Sequence, residues 1–117
     1  MKLNCVNIAT TKVLEMSIFY SLVLNKPYHE RNLYRYEILI YNCCIVITYT
    51  ENKTLINPDC CGLEFIVDDV DAEYSRLINA GVNINDKPKI LPWNYKYFSV
   101  RDPDGNNIDF VQFLGDK

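Results

Sequence analysis

The order of secondary structure predicted by this sequence occurs twice along the chain. Residues 3–9 alternate apolar and polar side chains as a strand does, and a helix is predicted to follow, ending near Leu24. Stretches rich in Tyr, Ile, Val and Thr then predict three strands, at about 28–33, 34–41 and 43–50. In the second half GLEFIVD predicts a strand before another helix, and further strands are predicted at VNIND, YKYFSV and NIDFVQF. Such a repeat constrains the fold strongly, because each copy is expected to form the same supersecondary unit.

The first helix is predicted to begin after Thr10 and Thr11, which can cap its amino terminus. Asn25 should end it, because asparagine tolerates the left-handed conformation that commonly follows a helix, and Pro27 prevents continuation. The side chains expected to form its apolar stripe are Leu14, Ile18, Phe19, Leu22 and Val23.

The second helix has clearer boundaries in the sequence. Asp69 is the expected N-cap, and Gly81 is the expected cap at the carboxyl end. Pro88 and Pro92 are expected to confine the segment between VNIND and YKYFSV to a loop. The predicted buried face of this helix contains Val70, Tyr74, Leu77 and Ile78.

These elements predict an α+β fold made of two tandem βαβββ modules in a single domain. The first module spans residues 1–50, a linker spans 51–59, and the second module spans 60–117. Each helix is expected to cover one face of its own four-stranded sheet. Two modules side by side would form a curved eight-stranded mixed sheet around a cleft, with the helices on the outer face.

Charge and hydropathy argue against two classes of partner. The chain has 12 Lys and Arg residues against 15 Asp and Glu, a formal net charge of −3 without a basic run, so we expect no nucleic-acid partner. No apolar run approaches the roughly 20 residues that span a bilayer. The stretch MKLNCVNIATT lacks the apolar core and cleavage site of a signal peptide. We therefore expect a cytoplasmic protein that does not enter a membrane.

The cysteines are expected to be buried or half-buried free thiols. They are Cys5, Cys43, Cys44, Cys60 and Cys61. An odd number without a signal peptide disfavours a disulfide framework. The two adjacent pairs form no CxxC motif, and the single histidine, His29, is expected on the surface rather than in a zinc site.

Three motifs in this order resemble the vicinal oxygen chelate superfamily. They are IFYSLVLNK after the first strand, VDDVDAEYSRLINAGV in the second half, and FSVRDPDGNNIDF near the end. The superfamily contains glyoxalase I, extradiol dioxygenases, fosfomycin-modifying enzymes and bleomycin-resistance proteins. The resemblance covers almost the whole chain, and its most specific motif is DPDGNNI at 102–108, although any hairpin can use an Asp-Gly turn.

Metal-dependent members of that superfamily hold their ion with one residue on the first and one on the last strand of each module. By pattern, the resemblance places these ligands at Cys5, Val46, Gly62 and Asp109. Asp109 alone is of the expected type, and Cys5 is the other remnant with a donor atom. We therefore expect no cofactor. The alternative is a divalent Zn, Ni, Mn or Fe ion in a rearranged site, as in a glyoxalase I-like lyase or isomerase, or in a dioxygenase.

Strand alternation predicts which side chains face the cleft. Glu64 falls on the same face as Gly62, and the apolar Phe98 and Val100 suit the helix side, which leaves Ser99 toward the cleft. Acidic and aromatic side chains together favour a planar or cationic small-molecule ligand. The predicted ligand-binding residues are Asn7, Thr48, Glu64, Trp93, Tyr95, Tyr97 and Asp109.

Each of the central residues also has a structural interpretation. Asp109 could be an inherited ligand position that accepts a hydrogen bond from Tyr or Asn, and Glu64 a solvated strand residue. Tyr95 and Tyr97 could be ordinary sheet aromatics, and Trp93 could cap the core.

Three functions therefore stay open: a metal-free binding protein resembling the bleomycin-resistance members, an enzyme, and a non-catalytic regulatory or interaction module. In a metal-free enzyme Glu64 and Asp109 would be the catalytic acid and base. The resemblance also implies a homodimer, and apolar edge strands favour such a partner.

Overall fold

The structure of the protein is a computed structural model, and it describes residues 1–58 and 62–115. Cys60 and Cys61 lie outside the described residues, as do the predicted end of the linker at 59 and the start of the second module at 60. The chain divides into two compact units. Unit 1 contains Met1–Asn57 and Asp102–Asp104, and unit 2 contains the described residues of Pro58–Arg101 and Gly105–Lys117.

Unit 1 has the order of strand, helix and three strands that the sequence predicts. Its elements are β1 (Cys5–Thr10), α1 (Val13–Leu24), β2 (His29–Asn32), β3 (Arg35–Ile40) and β4 (Cys43–Tyr49). The strands form sheet 1 in the order β1-β4-β3-β2, in which β1 and β4 are parallel and the other neighbours are antiparallel. A single 3-10 turn, Lys53–Leu55, lies within the predicted linker.

The predicted buried face of α1 is wrong at three of its five positions, whereas Val23 is buried as predicted and Phe19 is half-buried. Leu14, Ile18 and Leu22 are exposed, although the sequence predicts them in the core. Apolar residues occupy almost every side of VLEMSIFYSLVL, so their spacing cannot select the face that packs. The buried side chains of α1 are Val13, Met16, Ser17, Tyr20 and Val23.

The two ends of α1 give opposite outcomes for the predicted caps. Neither Thr10 nor Thr11 is the N-cap, because Lys12 occupies that position and makes no side-chain cap bond. The Thr10 hydroxyl instead accepts the backbone N–H of Lys12 at 3.1 Å. At the other end Asn25 is left-handed, with φ 54°, and its N–H donates to the Leu22 carbonyl at 3.3 Å. The prediction that Asn25 ends the helix is confirmed.

A buried hydrogen bond connects α1 to the Asp-Pro-Asp-Gly motif. The Tyr20 hydroxyl donates to Asp102 Oδ2 at 2.7 Å, and both residues are buried. Asp102 Oδ1 accepts the backbone N–H of Asp104 at 2.9 Å, as the aspartate of a tight turn commonly does. The first residues of the motif therefore have a structural role within unit 1.

Tyr20→Phe is expected to lower the free energy of unfolding by about 1.5–3 kcal/mol, the usual contribution of a hydrogen bond to a charged group. The change removes the hydroxyl and keeps the ring, so the buried Asp102 carboxylate loses a donor while the packing stays. Urea unfolding followed by circular dichroism measures the change. Tyr41→Phe is the control, because Tyr41 is fully exposed. Equal effects in the two variants would contradict this role of Tyr20.

Unit 2 repeats the order of unit 1. Its elements are β5 (Gly62–Ile66), α2 (Val70–Asn79), β6 (Lys89–Ile90), β7 (Tyr95–Arg101) and β8 (Asn107–Phe113). The strands form sheet 2 in the order β5-β8-β7-β6, in which β5 and β8 are parallel and the other neighbours are antiparallel.

The predicted buried face of α2 is correct except at Ile78. Val70 and Leu77 are fully buried. Tyr74 packs edge to face against Phe98, with 5.5 Å between ring centroids. Ile78, in contrast, is exposed, since it lies in the last turn of the helix. The helix therefore packs on sheet 2 through the side that its polar residues leave apolar.

Both predicted caps of α2 are confirmed. Asp69 Oδ1 accepts the backbone N–H of Ala72 at 3.1 Å, which satisfies one of the free donors at the start of the helix. Gly81 follows the last turn with φ +85° and donates its N–H to the Ile78 carbonyl at 3.0 Å. Glycine adopts this left-handed conformation without the steric cost that a Cβ would add.

The predicted strand at VNIND is wrong. Residues 82–86 form no strand, and β6 lies instead at Lys89–Ile90, inside the segment expected to be a loop. A turn directly after β6 explains the difference. The Leu91 N–H donates to the Tyr95 carbonyl at 2.7 Å, and the Asn94 N–H donates to the Leu91 carbonyl at 2.9 Å. The hairpin that this turn closes pairs Lys89 and Ile90 with β7, and Pro88, which has no N–H to donate to a strand ladder, lies directly before β6.

The predicted fold class is confirmed, since each unit is a βαβββ module with a four-stranded mixed sheet and one helix. The buried side chains of the strands include Tyr36, Ile38, Ile45 and Ile47 in unit 1 and Phe98, Ile108 and Phe110 in unit 2. Neither helix in the described part of the chain has the length and apolar character needed to cross a membrane.

The described cysteines are free thiols, as predicted. Cys5, Cys43 and Cys44 are half-buried. Burial raises the pKa of the Cys44 thiol, so it is less often a thiolate than an exposed cysteine. His29 is exposed on β2, which confirms its predicted surface position.

Candidate functional site

The two faces of sheet 2 differ in what covers them. The helix side is identified by Phe98, which meets Tyr74 of α2, and by Gln112, whose side chain accepts the N–H of Val70 at 2.9 Å. Side chains alternate along a strand, so the residues between these point to the opposite face, called here the helix-free face of sheet 2. It carries Gly62, Glu64, Tyr95, Tyr97, Ser99, Arg101, Asn107, Asp109 and Val111.

Asp109 lies at the centre of this face. It is the register partner of Glu64 on β5 and of Ser99 on β7. The Ser99 hydroxyl donates to Asp109 Oδ1, and Asn107 Nδ2 donates to the same oxygen at 2.8 Å. Within the described residues Oδ2 accepts no hydrogen bond. Asp109 is therefore fixed through one oxygen and has the other available for a ligand.

Glu64 and Asp109 line one groove of about 470 Å³, together with Gly62, Arg101 and Asn107. Glu64 is exposed and Asp109 is half-buried. Among the residues that the structure describes, no Lys, Arg or His forms an ion pair with either carboxylate. The two carboxylates outnumber the single guanidinium of Arg101, so the groove has a net negative charge that favours a cation or a hydrogen-bond donor.

The predicted aromatic residues have different positions. Tyr97 is half-buried and lines a second groove of about 430 Å³ beside the first. Tyr95 packs edge to face against Phe113, with 5.7 Å between ring centroids. Trp93 is 63% exposed in the turn before β7. Neither Tyr95 nor Trp93 is among the described residues that line the two grooves, so of the three aromatic residues Tyr97 alone lines a groove that adjoins the carboxylates.

Arg101 and Asn107 line both grooves but were not predicted as site residues. They are register partners at one end of β7 and β8, and Arg101 Nη1 donates to the Gly105 carbonyl at 2.9 Å. Strand alternation could have identified them in FSVRDPDGNNIDF. Arg101 is two residues after Ser99 and Asn107 is two residues before Asp109, so each lies on the same face as that residue. The groove surface carries both signs of charge, whereas the sequence predicts an acidic one.

The predicted site residues of unit 1 lie on one face of sheet 1. Asn7 is the register partner of Val46, and the Thr48 hydroxyl donates to Asn7 Oδ1 at 2.8 Å. The buried Ile45 and Ile47 alternate with these residues on β4, which with β3 contacts α1. Asn7 and Thr48 are thus neighbours on the helix-free face of sheet 1.

Glu37 on the same face of sheet 1 was missed by the sequence analysis. It is the register partner of Val46 and accepts hydrogen bonds from the Nε atoms of Arg31 and Arg35, each at 2.8 Å. These bonds from Arg35 and Arg31 lower the pKa of the Glu37 carboxyl. The available signal was an acidic residue between the apolar Tyr36 and Ile38 of β3.

The four positions that correspond to metal ligands do not fit a divalent cation. Val46 is apolar and buried, and Gly62 has no side chain. A Cβ at Gly62 would lie 3.2 Å from the Asn107 carbonyl oxygen, so a larger residue there would need a local shift. Cys5 and Asp109 alone have donor atoms, fewer than the three or four protein ligands that zinc takes. Across residues 1–58 and 62–115, no three His, Cys, Asp or Glu side chains gather into a group that could hold a metal ion.

Solved structures show the same fold in other proteins. A glyoxalase/bleomycin resistance protein/dioxygenase family enzyme from Burkholderia phytofirmans PsJN is 24% identical, with a TM-score of 0.80 over 97% of this chain and 100% of that chain. A glyoxalase/bleomycin resistance protein/dioxygenase from Nocardioides is 15% identical, with a TM-score of 0.78 over 99% of this chain and 87% of that chain. Lactoylglutathione lyase from Agrobacterium tumefaciens is 13% identical, with a TM-score of 0.76 over 99% of this chain and 98% of that chain. At these identities the likeness shows the fold alone.

Comparison by sequence gives the family. A search of curated proteins finds no significant match. The family model of the Glyoxalase/Bleomycin resistance protein/Dioxygenase superfamily matches residues 3–110, which is almost the whole chain. The chain therefore belongs to the Glyoxalase/Bleomycin resistance protein/Dioxygenase superfamily.

Proposed function

We propose that the protein is a metal-free binding protein that holds a planar or cationic small molecule on the helix-free face of sheet 2. The observation that carries this proposal is the pair formed by Glu64 and Asp109. They are register partners, line one groove, and form no ion pair among the described residues. Arg101 lines the same groove but pairs with neither carboxylate, so a cationic ligand would supply a direct counter-charge.

The surroundings of the two carboxylates support the same ligand class. Asp109 is oriented by Ser99 and Asn107, and such fixed acceptors lose little conformational entropy when a ligand binds. Tyr97 provides an aromatic side chain in the adjoining groove, where a planar ligand could stack. Asn7, Thr48, Trp93 and Tyr95 remain predicted contacts that the proposal does not require.

The proposal without metal rests on the donor set rather than on the family. Glyoxalase I-like chemistry needs a Lewis acid at the oxygens of the substrate, and a site with Val46 and Gly62 in ligand positions offers too few donors to hold one. Elemental analysis of protein purified without chelators tests this part. Stoichiometric Zn, Ni, Mn or Fe would favour the metal-dependent lyase, isomerase or dioxygenase instead. The homodimer and the cytoplasmic location stay predictions.

Asp109→Asn and Glu64→Gln are each expected to weaken binding of a planar cation by about 10- to 100-fold, the loss of one charge-assisted hydrogen bond. A thermal-shift screen of planar aromatic cations finds the ligand, and isothermal titration calorimetry measures its Kd. Asp68→Asn is the matched control, because it removes one carboxylate from an exposed position outside the grooves. No binding across a broad panel, or equal losses in the control, would contradict the proposal.

A further inference from the structure

The second groove lies along the edge of β7 that β6 leaves unpaired, and more of its charged side chains are basic than acidic, so we call it the basic pocket. Its charged lining consists of Lys87, Lys89, Arg101 and Asp86. Lys89 is the register partner of Tyr97, which places it on the helix-free face. Three cations therefore surround one pocket in a chain whose formal net charge is −3.

The positive charge of the basic pocket is poorly compensated. Lys89 Nζ lies 3.9 Å from Asp86 Oδ2, and both side chains are largely exposed, so this pair contributes little. Lys87 forms no ion pair with any residue of the described ranges. The hydrogen bond from Arg101 goes to a backbone carbonyl and leaves its charge unpaired. An anion entering this pocket would thus meet cations that have no stronger partner.

The short β6 strand makes the pocket possible. β6 pairs only with Tyr97 and Lys96, so β7 has no strand beside it from Phe98 to Arg101 on that side. The backbone of an unpaired strand edge offers N–H donors, and Phe98 and Val100 line the pocket although their side chains point to α2. Polar side chains of Ser99 and Asn107 complete the wall. Lys and Arg cations next to backbone N–H groups are the common partners of oxyanions.

The basic pocket and the groove at Glu64 and Asp109 are contiguous, because Arg101 and Asn107 line both. We propose that the basic pocket binds an oxyanion, a carboxylate or a phosphate, carried by the same small molecule that Glu64 and Asp109 hold at its cationic or planar end. The statement that one molecule occupies both grooves rests on the proposed function. The natural ligand is accordingly dipolar, with its acidic group toward β6 and its donor or cationic group toward β5.

Inorganic phosphate and acetate are the probes for the pocket alone. Two-dimensional amide NMR of the full chain, titrated at constant ionic strength, should give saturable shifts confined to residues 83–89 and 97–101 and to Asn107. Lys87→Gln with Lys89→Gln should weaken the apparent affinity for phosphate by about tenfold, since two charge-assisted contacts are lost. Lys53→Gln with Lys96→Gln is the control. It removes the same charge at positions outside the pocket. Lys96 points to the other face of sheet 2, where it pairs with Asp71 of α2.

The control decides between a site and general electrostatics. Saturable local shifts that the pocket variant weakens and the control variant keeps support the proposal. Shifts that do not saturate, or equal weakening in the two double variants, overturn it. If phosphate saturates the pocket and acetate does not, the acidic group is a phosphate, and similar affinities indicate a general oxyanion site.

The same variants separate this inference from the proposed function. Asp68→Asn should leave the affinity for phosphate unchanged, because Asp68 is exposed and lies outside both grooves. Phosphate binding without any planar cation binding would contradict the proposed function alone. Planar cation binding without phosphate binding would contradict this inference alone. Among compounds that bind, the Lys87→Gln with Lys89→Gln variant should weaken those that carry an oxyanion and spare their neutral analogues; equal effects on both would show that the two grooves do not share one ligand.

Discussion

Met16→Ala is expected to lower the free energy of unfolding by about 2–5 kcal/mol, the range for truncating buried Leu, Ile and Met side chains. Met16 is fully buried on the face of α1 that packs in unit 1. The truncation removes apolar surface from the core and leaves a cavity that the close-packed neighbours fill only in part. Urea unfolding with an unchanged m-value measures the loss as a shift of the midpoint.

Leu14→Ala is the control for Met16→Ala, because the two residues belong to the same helix and lose side chains of similar size. Leu14 is 50% exposed, so its truncation should change the free energy of unfolding by no more than about 0.5 kcal/mol. The sequence pattern alone predicts the opposite order, with Leu14 in the core. A larger loss in Leu14→Ala than in Met16→Ala would mean that α1 packs through its other side.

The contrast between the two helices shows what periodicity can predict. In α2 the polar residues of VDAEYSRLIN occupy one side, so the apolar positions leave a single face for the core, and Val70 and Leu77 are buried as expected. In α1 the segment VLEMSIFYSLVL is apolar on nearly every side. The choice of face then depends on the shape of the sheet below it, which no spacing within the helix encodes.

The strands show a similar division. The alternation in YKYFSV and in the first residues of NIDFVQF assigns Phe98 to the helix side and Asp109 to the other side correctly, although Val111 and Gln112 depart from it. β6 has only two residues, and its position is determined by the turn at Leu91–Asn94. The hydrophobic pattern of VNIND resembles a strand more closely, but a hairpin pairs the residues nearest its turn.

Strand alternation also made part of the candidate site predictable from the sequence. Alternation alone places Glu64, Tyr97 and Asp109 on one face, and the structure brings them to adjoining grooves. The partners of these residues depend on the register between strands, which the sequence does not specify. Arg101 and Lys89 therefore became visible only when β7 was aligned with β8 and β6. Their charges change the expected ligand from a cation to a dipolar molecule.

Both proposed binding grooves depend on which side chains of β7 point away from α2. Two neighbouring residues of β7 test this. Phe98→Ala is expected to lower the free energy of unfolding by about 3–5 kcal/mol, the cost of truncating a buried aromatic side chain. Phe98 is buried, stacks on Phe110 with 5.1 Å between ring centroids, and meets Tyr74 of α2. Thermal and urea unfolding of the variant measure the loss.

Ser99→Ala is the matched control, because it changes the next residue of the same strand on the opposite face. It removes one hydrogen bond to Asp109 and should cost about 0.5–1.5 kcal/mol, well below the loss in Phe98→Ala. Its larger effect should be on ligand affinity, since among the described residues Asp109 Oδ1 would keep Asn107 alone as a donor. If Ser99→Ala proved as destabilising as Phe98→Ala, β7 would have its faces reversed. Tyr97 would then point toward α2, and neither the groove at Glu64 and Asp109 nor the basic pocket could bind a ligand as proposed.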